Sequence, residues 1–144
     1  MDGKYKRILV AVDGSKPSEV AFRKSVEIAK RNDAVLIVSH IVDSRTFATA
    51  EVYDRSLSER AEQHAKKLLD EYVQIAKDEG VNEVELLIKY GSPKVAIAKD
   101  VAPQVEADLI IVGATGLNAV ERFLIGSVSE SVTRYAKCDV LIVR

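Results

Sequence analysis

Three glycines and a serine, spaced Gly113-x2-Gly116-x9-Gly126-Ser127, are the residues of this 144-residue chain whose types and spacing point most directly to chemistry. They follow the apolar run Leu109-Ile110-Ile111-Val112, which reads as a buried strand. They precede Val128-Ser129-Glu130-Ser131-Val132, which reads as the start of a helix. Glycine lets backbone N–H groups approach a ligand with no Cβ in the way, and it tolerates positive φ in a tight turn. A helix start adds unpaired N–H donors and the positive end of the macrodipole. The hydroxyls of Ser127 and Ser129 stand beside those donors. The chemistry this offers is phosphate binding.

The spacing is not that of the commoner nucleotide loops. No Gly-x-x-x-x-Gly-Lys-Ser/Thr occurs, and no Gly-x-Gly-x-x-Gly follows the first strand. Asp13, at the end of a second apolar run, offers a carboxylate that can accept from an adenine amino group or a ribose hydroxyl; the alternative is a turn or N-cap aspartate. His40 and His64 are the two histidines, and no Cys/His cluster has zinc spacing, so both read as structural. Cys138, ahead of an apolar strand, reads as an inert small hydrophobe rather than a nucleophile. Arg122 lies within reach of a bound phosphate in principle, but a solvent-facing loop arginine is the simpler reading. No paired carboxylates announce a metal cage, so any Mg²⁺ is expected to be held by nucleotide phosphates and water.

Positioning these residues requires an α/β domain. Arg7 to Val12 and Ala34 to Ile41 are short, mostly apolar runs of the kind buried on both faces of a parallel sheet. Between them a helix to about Arg31 carries Phe22, Val26 and Ala29 on one side with Ser25, and Pro17 suits its first turn. Asp43 to Arg55 has no clear period. Ser56-Leu57-Ser58-Glu59 has capping-box spacing and announces a long helix burying Ala61, Ala65, Leu68, Leu69, Tyr72 and Ala76, ended by Gly80. Val84 to Tyr90 alternates, as an edge strand does, and Ser92-Pro93 opens another helix that Pro103 should end or kink near Ala102. A last helix from about Ser127 to Tyr135 leads to a final strand, Val140 to Val143. Strands alternating with helices imply a parallel sheet with right-handed crossovers. Ligands of such sheets bind at a switch point, where strand-end loops form a crevice.

Composition narrows the partners. Lys plus Arg number 21 against 22 Asp plus Glu, a net charge of −1, which argues against nucleic acid or an anionic membrane as partner. One cysteine excludes an internal disulfide and suits a reducing cytoplasm. Lys4, Lys6 and Arg7 precede only a short apolar run, so no signal peptide is expected, and no run approaches the roughly 18 apolar residues of a membrane span. The expectation is a cytoplasmic single domain over 1–144.

The glycine pattern resembles that of the ATP-binding branch of the universal stress protein family at all four positions. Ile8-Leu9-Val10-Ala11-Val12-Asp13-Gly14-Ser15 looks like the family's opening strand and turn, and Cys138-Asp139-Val140-Leu141-Ile142-Val143 like its closing strand. The resemblance implies a three-layer open sheet of five parallel strands, order 3-2-1-4-5, with helices on both faces, an adenine nucleotide alpha hydrolase-like fold. It implies ATP with its base near Ala11, Val12, Asp13 and Ile41, and its ribose and phosphates along Val112, Gly113 and Gly116. The phosphates would end on backbone N–H groups of Gly126, Ser127 and Val128. It also implies a homodimer through Val140–Val143, where an exposed apolar edge would otherwise be a liability. Ala114-Thr115 departs from the serine and basic or imidazole side chain frequent in the family, and Lys137-Cys138-Asp139 from its proline-flanked cysteine. The function expected is a nucleotide-dependent stress-response module, not an efficient enzyme. A slow ATPase or nucleotide-transferring enzyme, and a dimeric scaffold with an empty crevice, are the alternatives. A flavodoxin-like carrier is disfavoured because no aromatic-bearing loop is seen to sandwich a flavin.

Overall fold

The apolar runs become strands because continuous Val, Ile and Leu can be buried on both faces only inside a sheet covered on both sides. In the computed structural model, which describes residues 4–43, 55–115 and 125–144 and only the backbone of 55–58, β1 (Arg7–Ala11) lies at the centre. It pairs in parallel with β2 (Val35–Asp43) on one side and β4 (Leu109–Gly113) on the other. β3 (Glu83–Gly91) and β5 (Asp139–Val143) form the two edges, giving the order β3-β2-β1-β4-β5. The five strands thus take the expected 3-2-1-4-5 arrangement, with the chain reversing direction across the sheet between β1 and β4.

Helices cover both faces. α1 (Lys16–Asn32) and α2 (Arg55–Asp78) pack on the face formed by Ile8, Val10, Leu36, Val38 and Ile111. Phe22, 1% exposed, stacks at 4.6 Å on the Tyr72 ring and joins the two helices over that face. The opposite face, with Leu9, Ile37, Ile110 and Val112, is covered by the helical run after β3 and by α5 (Ser127–Tyr135) through Val132. Of the face expected from its periodicity, Ala65, Leu69, Tyr72 and Ala76 form the buried stripe of α2, while Ala61 and Leu68 are half-buried. Its first-turn side chains, including Ser56 of the capping box, and the expectation for Asp43 to Arg55 fall partly or wholly outside the described residues.

Pro103 ends the helix after β3 close to where the sequence placed the stop, by a route not foreseen: α3 (Pro93–Ala96) runs through a π-helical turn (Ile97–Val101) into α4 (Ala102–Gln104), which stops one residue past the proline. Pro103 has no N–H to donate, and its ring crowds the carbonyl four residues earlier. The preceding turn is widened, so that Ala102 N–H reaches the Ile97 carbonyl. Ser92 has the extended backbone of an N-cap, but its hydroxyl makes no cap bond; its carbonyl takes the N–H groups of Val95 and Ala96 instead.

The starts of β1 and β4 are registered by one side chain. Asp108 accepts from the N–H of Lys6 at 2.8 Å and of Arg7 at 3.1 Å, while its own N–H donates to the Arg7 carbonyl. That fixes which residues reach the opposite, loop-bearing end of the two central strands. Replacing Phe22 by Ala should lower unfolding free energy by about 3–5 kcal/mol, through lost burial and the cavity left against Tyr72. Urea denaturation followed by far-UV circular dichroism measures it.

Candidate functional site

The carboxyl ends of β1 and β4 carry the two polar stretches singled out in the sequence. On the β1 side, Ser15 caps α1: its Oγ accepts from Ser18 N–H at 3.3 Å, with Pro17 in the first turn. Asp13 is exposed, and its Oδ1 accepts from Ser15 N–H at 2.9 Å. One carboxylate oxygen therefore shapes the turn, as the structural alternative expected, and the other is left for a ligand. The Asp13 N–H donates to Ser18 Oγ at 3.2 Å. Burial, then the neighbouring Glu19 carboxylate, pushes the Tyr72 phenol up from its usual range, so the ring standing beside Ser18 remains a neutral hydroxyl.

Across the switch point, Gly113 is buried at the tip of β4. Its glycine identity has a different cause from the one expected. A Cβ there would lie 2.8 Å from the Pro17 carbonyl oxygen and 2.9 Å from its carbon, so the residue is small to admit the first turn of α1, not a ligand. Gly126 is likewise pressed on its own chain: a Cβ would stand 3.2 Å from the Ala114 carbonyl oxygen and 3.3 Å from the Thr115 Cα. Its φ of −66° is open to any residue. Neither glycine uses positive φ.

These contacts bring the start of α5 onto the tip of β4. Gly126 N–H donates to the Ala114 carbonyl at 2.6 Å, so it is not a free phosphate donor as the resemblance implied. The buried Ser129 hydroxyl donates to the Gly113 carbonyl and lies 3.3 Å from that of Ala114. Its proton is spent on the fold rather than offered to a ligand, which corrects the role given to it from the sequence. Its place three residues before buried Val132, on the inner side of α5, was the signal available. The first intrahelical bond runs from Glu130 N–H to the Gly126 carbonyl. The N–H groups of Ser127, Val128 and Ser129 have no acceptor among the described residues, at the positive end of the helix. Gly116 and Arg122 lie outside the described residues.

The third component comes from β2. β1 pairs with β2 up to Ala11 and Ser39, and Val12 N–H still donates to the Ser39 carbonyl at 2.9 Å. Backbone groups of a strand alternate between its two neighbours, so the N–H and C=O of Ile41 also face the side of β1. There β1 has turned away, and no partner meets them among the described residues. The buried Ile41 side chain packs with Leu9, Ile37 and Val112 on the face covered by α3 and α5. Val12 is buried in the core under α1 and α2, and Val112 is buried on the opposite face with half-buried Ala11 packed beside it. His40 Nδ1 lies 2.7 Å from the Val12 carbonyl, a structural contact as expected. His64 is exposed on α2, and no group of three metal-ligating side chains occurs among the described residues. Burial, with the Asp139 carboxylate behind it, pushes the Cys138 thiol up, in keeping with an inert thiol.

The chain is a doubly wound α/β domain with a helix start beside its switch point, the place where open sheets of this class hold their ligands. Residues 4–144 match the universal stress protein family, and the chain belongs to that family. A putative universal stress protein of Staphylococcus aureus strain USA300 is 51% identical over 140 residues, 97% of this chain and 84% of its own length. The solved universal stress protein UspA from Lactobacillus plantarum is 31% identical and superposes with a TM-score of 0.82, covering 99% of this chain and 100% of its own. A universal stress protein solved in complex with cAMP is 30% identical, with a TM-score of 0.76 over 99% of each chain.

Gly113→Ala should cost about 1–3 kcal/mol of stability, since the Pro17 backbone cannot yield as a side-chain tip would. Gly126→Ala, meeting looser contacts, should cost less. Denaturant midpoints at unchanged m-value would rank the two.

Proposed function

We propose that this protein binds an adenine nucleotide, ATP in particular, at the β1–β4 switch point and acts as a nucleotide-dependent stress-response module in the cytoplasm. The observation that carries the reading is one arrangement: at the switch point lie three amides at the start of α5 and the N–H and C=O of Ile41, none of which has a backbone partner among the described residues. Anionic oxygens suit the first set, whose donors and dipole compensate charge that a partly dry cleft would leave exposed. A base edge with one acceptor beside one amino donor, as adenine has, suits the second. The outer oxygen of the Asp13 carboxylate takes a ribose hydroxyl between them. The cAMP complex of a related universal stress protein supports the class of ligand. Mg²⁺ arrives on the triphosphate, held by its oxygens and water.

The module binds rather than turns over efficiently. Phosphoryl transfer needs a positioned base or water, metal ligands and a charged clamp; the polar groups named here supply a cradle. β5 is an edge strand with half-exposed Val140, Leu141, Ile142 and Val143, and a second copy pairing along it would satisfy its open backbone. Analytical ultracentrifugation should show a dimer that Ile142→Lys converts to monomer; a monomeric parent removes the dimer from the proposal.

Ser127→Pro tests the phosphate site with little disturbance. Ser127 is the first residue of α5, where proline is preferred, and Gly126 before it is already extended at ψ 161°. The substitution deletes one amide donor and should weaken ATP binding about tenfold or more by calorimetry, as expected for a bond to a charged group. Ser127→Ala, which keeps the amide, should lose less. Absence of heat with the parent protein leaves the dimeric scaffold as the function. A single-turnover hydrolysis step sensitive to Asp13→Asn makes the protein a slow ATPase instead.

A further inference from the structure

We propose that His40 is a positioning residue for the crevice, replacing one rung of the β1–β2 ladder so that Ile41 is released and Asp13 is fixed. The inference deepens the nucleotide reading and rests on it for the ligand, though not for the structural role. In a parallel ladder, the carbonyl of Val12 would next accept from the N–H of Ile41. It does not: the Val12 carbonyl is met by His40 Nδ1 at 2.7 Å. A carbonyl only accepts, so Nδ1 carries the proton and Nε2 of the neutral ring does not.

Two consequences follow from that one bond. The Ile41 N–H, freed from Val12, stays available to a ligand at the mouth of the crevice. The Val12 C=O and the Asp13 N–H belong to a single planar peptide unit. His40 of β2 holds one end of that plane, and Ser18 of α1 holds the other at 3.2 Å. A peptide clamped at both ends sets where the Asp13 Cα leaves the strand, and so where its carboxylate points. His40 touches no ligand in this account; it acts through Val12.

Asparagine can replace this function, because its Nδ2 is attached to Cγ as Nδ1 is in histidine; leucine cannot. Nitrogen-15 NMR of the parent protein in alkaline buffer should find the His40 ring as the Nδ1–H tautomer, and an Nε2–H ring overturns the proposal. In ligand-free protein, His40→Leu should move the Asp13 amide resonance and His40→Asn should return it toward the parent position. Titrated with ATP, His40→Leu should bind roughly three- to tenfold more weakly, and His40→Asn within about twofold of the parent. Equal loss in both variants, or none in the leucine variant, overturns the proposal. If the parent gives no heat with ATP, the nucleotide reading fails, and the ring tautomer and Asp13 amide alone decide the role of His40. If His40→Leu does not fold, the parent tautomer and the asparagine variant decide it.

Discussion

The backbone of Pro17 resting on the Cα of Gly113 is the contact on which the upper half of the molecule depends. It seats the first turn of α1 against the tip of β4, and so brings a helix that follows β1 up to the strand on the far side of the switch point. Ser129 and Gly126 then lay the start of α5 on the same strand tip from the other face. Three chain segments distant in sequence are held within a few bonds of one another by one missing methyl group. The start of α5 and the turn into α1 are thereby both seated at the tip of β4. No long-range electrostatic arrangement is required, and the nearly balanced net charge of the chain is consistent with this.

The strands and their parallel arrangement were legible because burial on both faces leaves continuous apolar runs, and the β3 edge because its sequence alternates; the place of β5, a continuous apolar run, at the other edge came from the family resemblance. The buried stripes of α1 and α2 were legible for the matching reason at helical period. What the sequence does not display is contact between distant backbones. Gly113 is a glycine in either account, but only the approach of Pro17 distinguishes packing from ligand access. Ser129 looks like a donor for phosphate until the Gly113 carbonyl is seen beneath it. Pro103 marks a helix end by local rules, and the helix does stop at Gln104, but the π-helical turn ahead of it has no residue signature. The motif at Gly113, Gly126 and Ser127 therefore pointed to a stretch where the structure gives several of the atoms a packing task that the pattern alone does not show.

The polar chemistry at the crest of the sheet is almost wholly main-chain. Ile41, Val128 and Ser129 contribute groups that any non-proline residue would contribute, so their side chains are free to serve the apolar core or the fold. This separation explains how the region proposed to bind the nucleotide can also be the place where three elements are fastened. It also explains why substitutions that alter the path of the backbone should matter more here than those that alter polarity.

The bond from Gly126 N–H to the Ala114 carbonyl closes a ring of covalent chain, with both ends clamped to the rigid sheet. Beyond a clamp of this kind, segment length is thermodynamically cheap, at about 0.6 kcal/mol for each doubling in flexible chain. Closing a longer or shorter interval with the same clamp therefore changes little in chain entropy, and the seat of α5 on β4 does not by itself dictate how many residues a descendant of this sequence carries there.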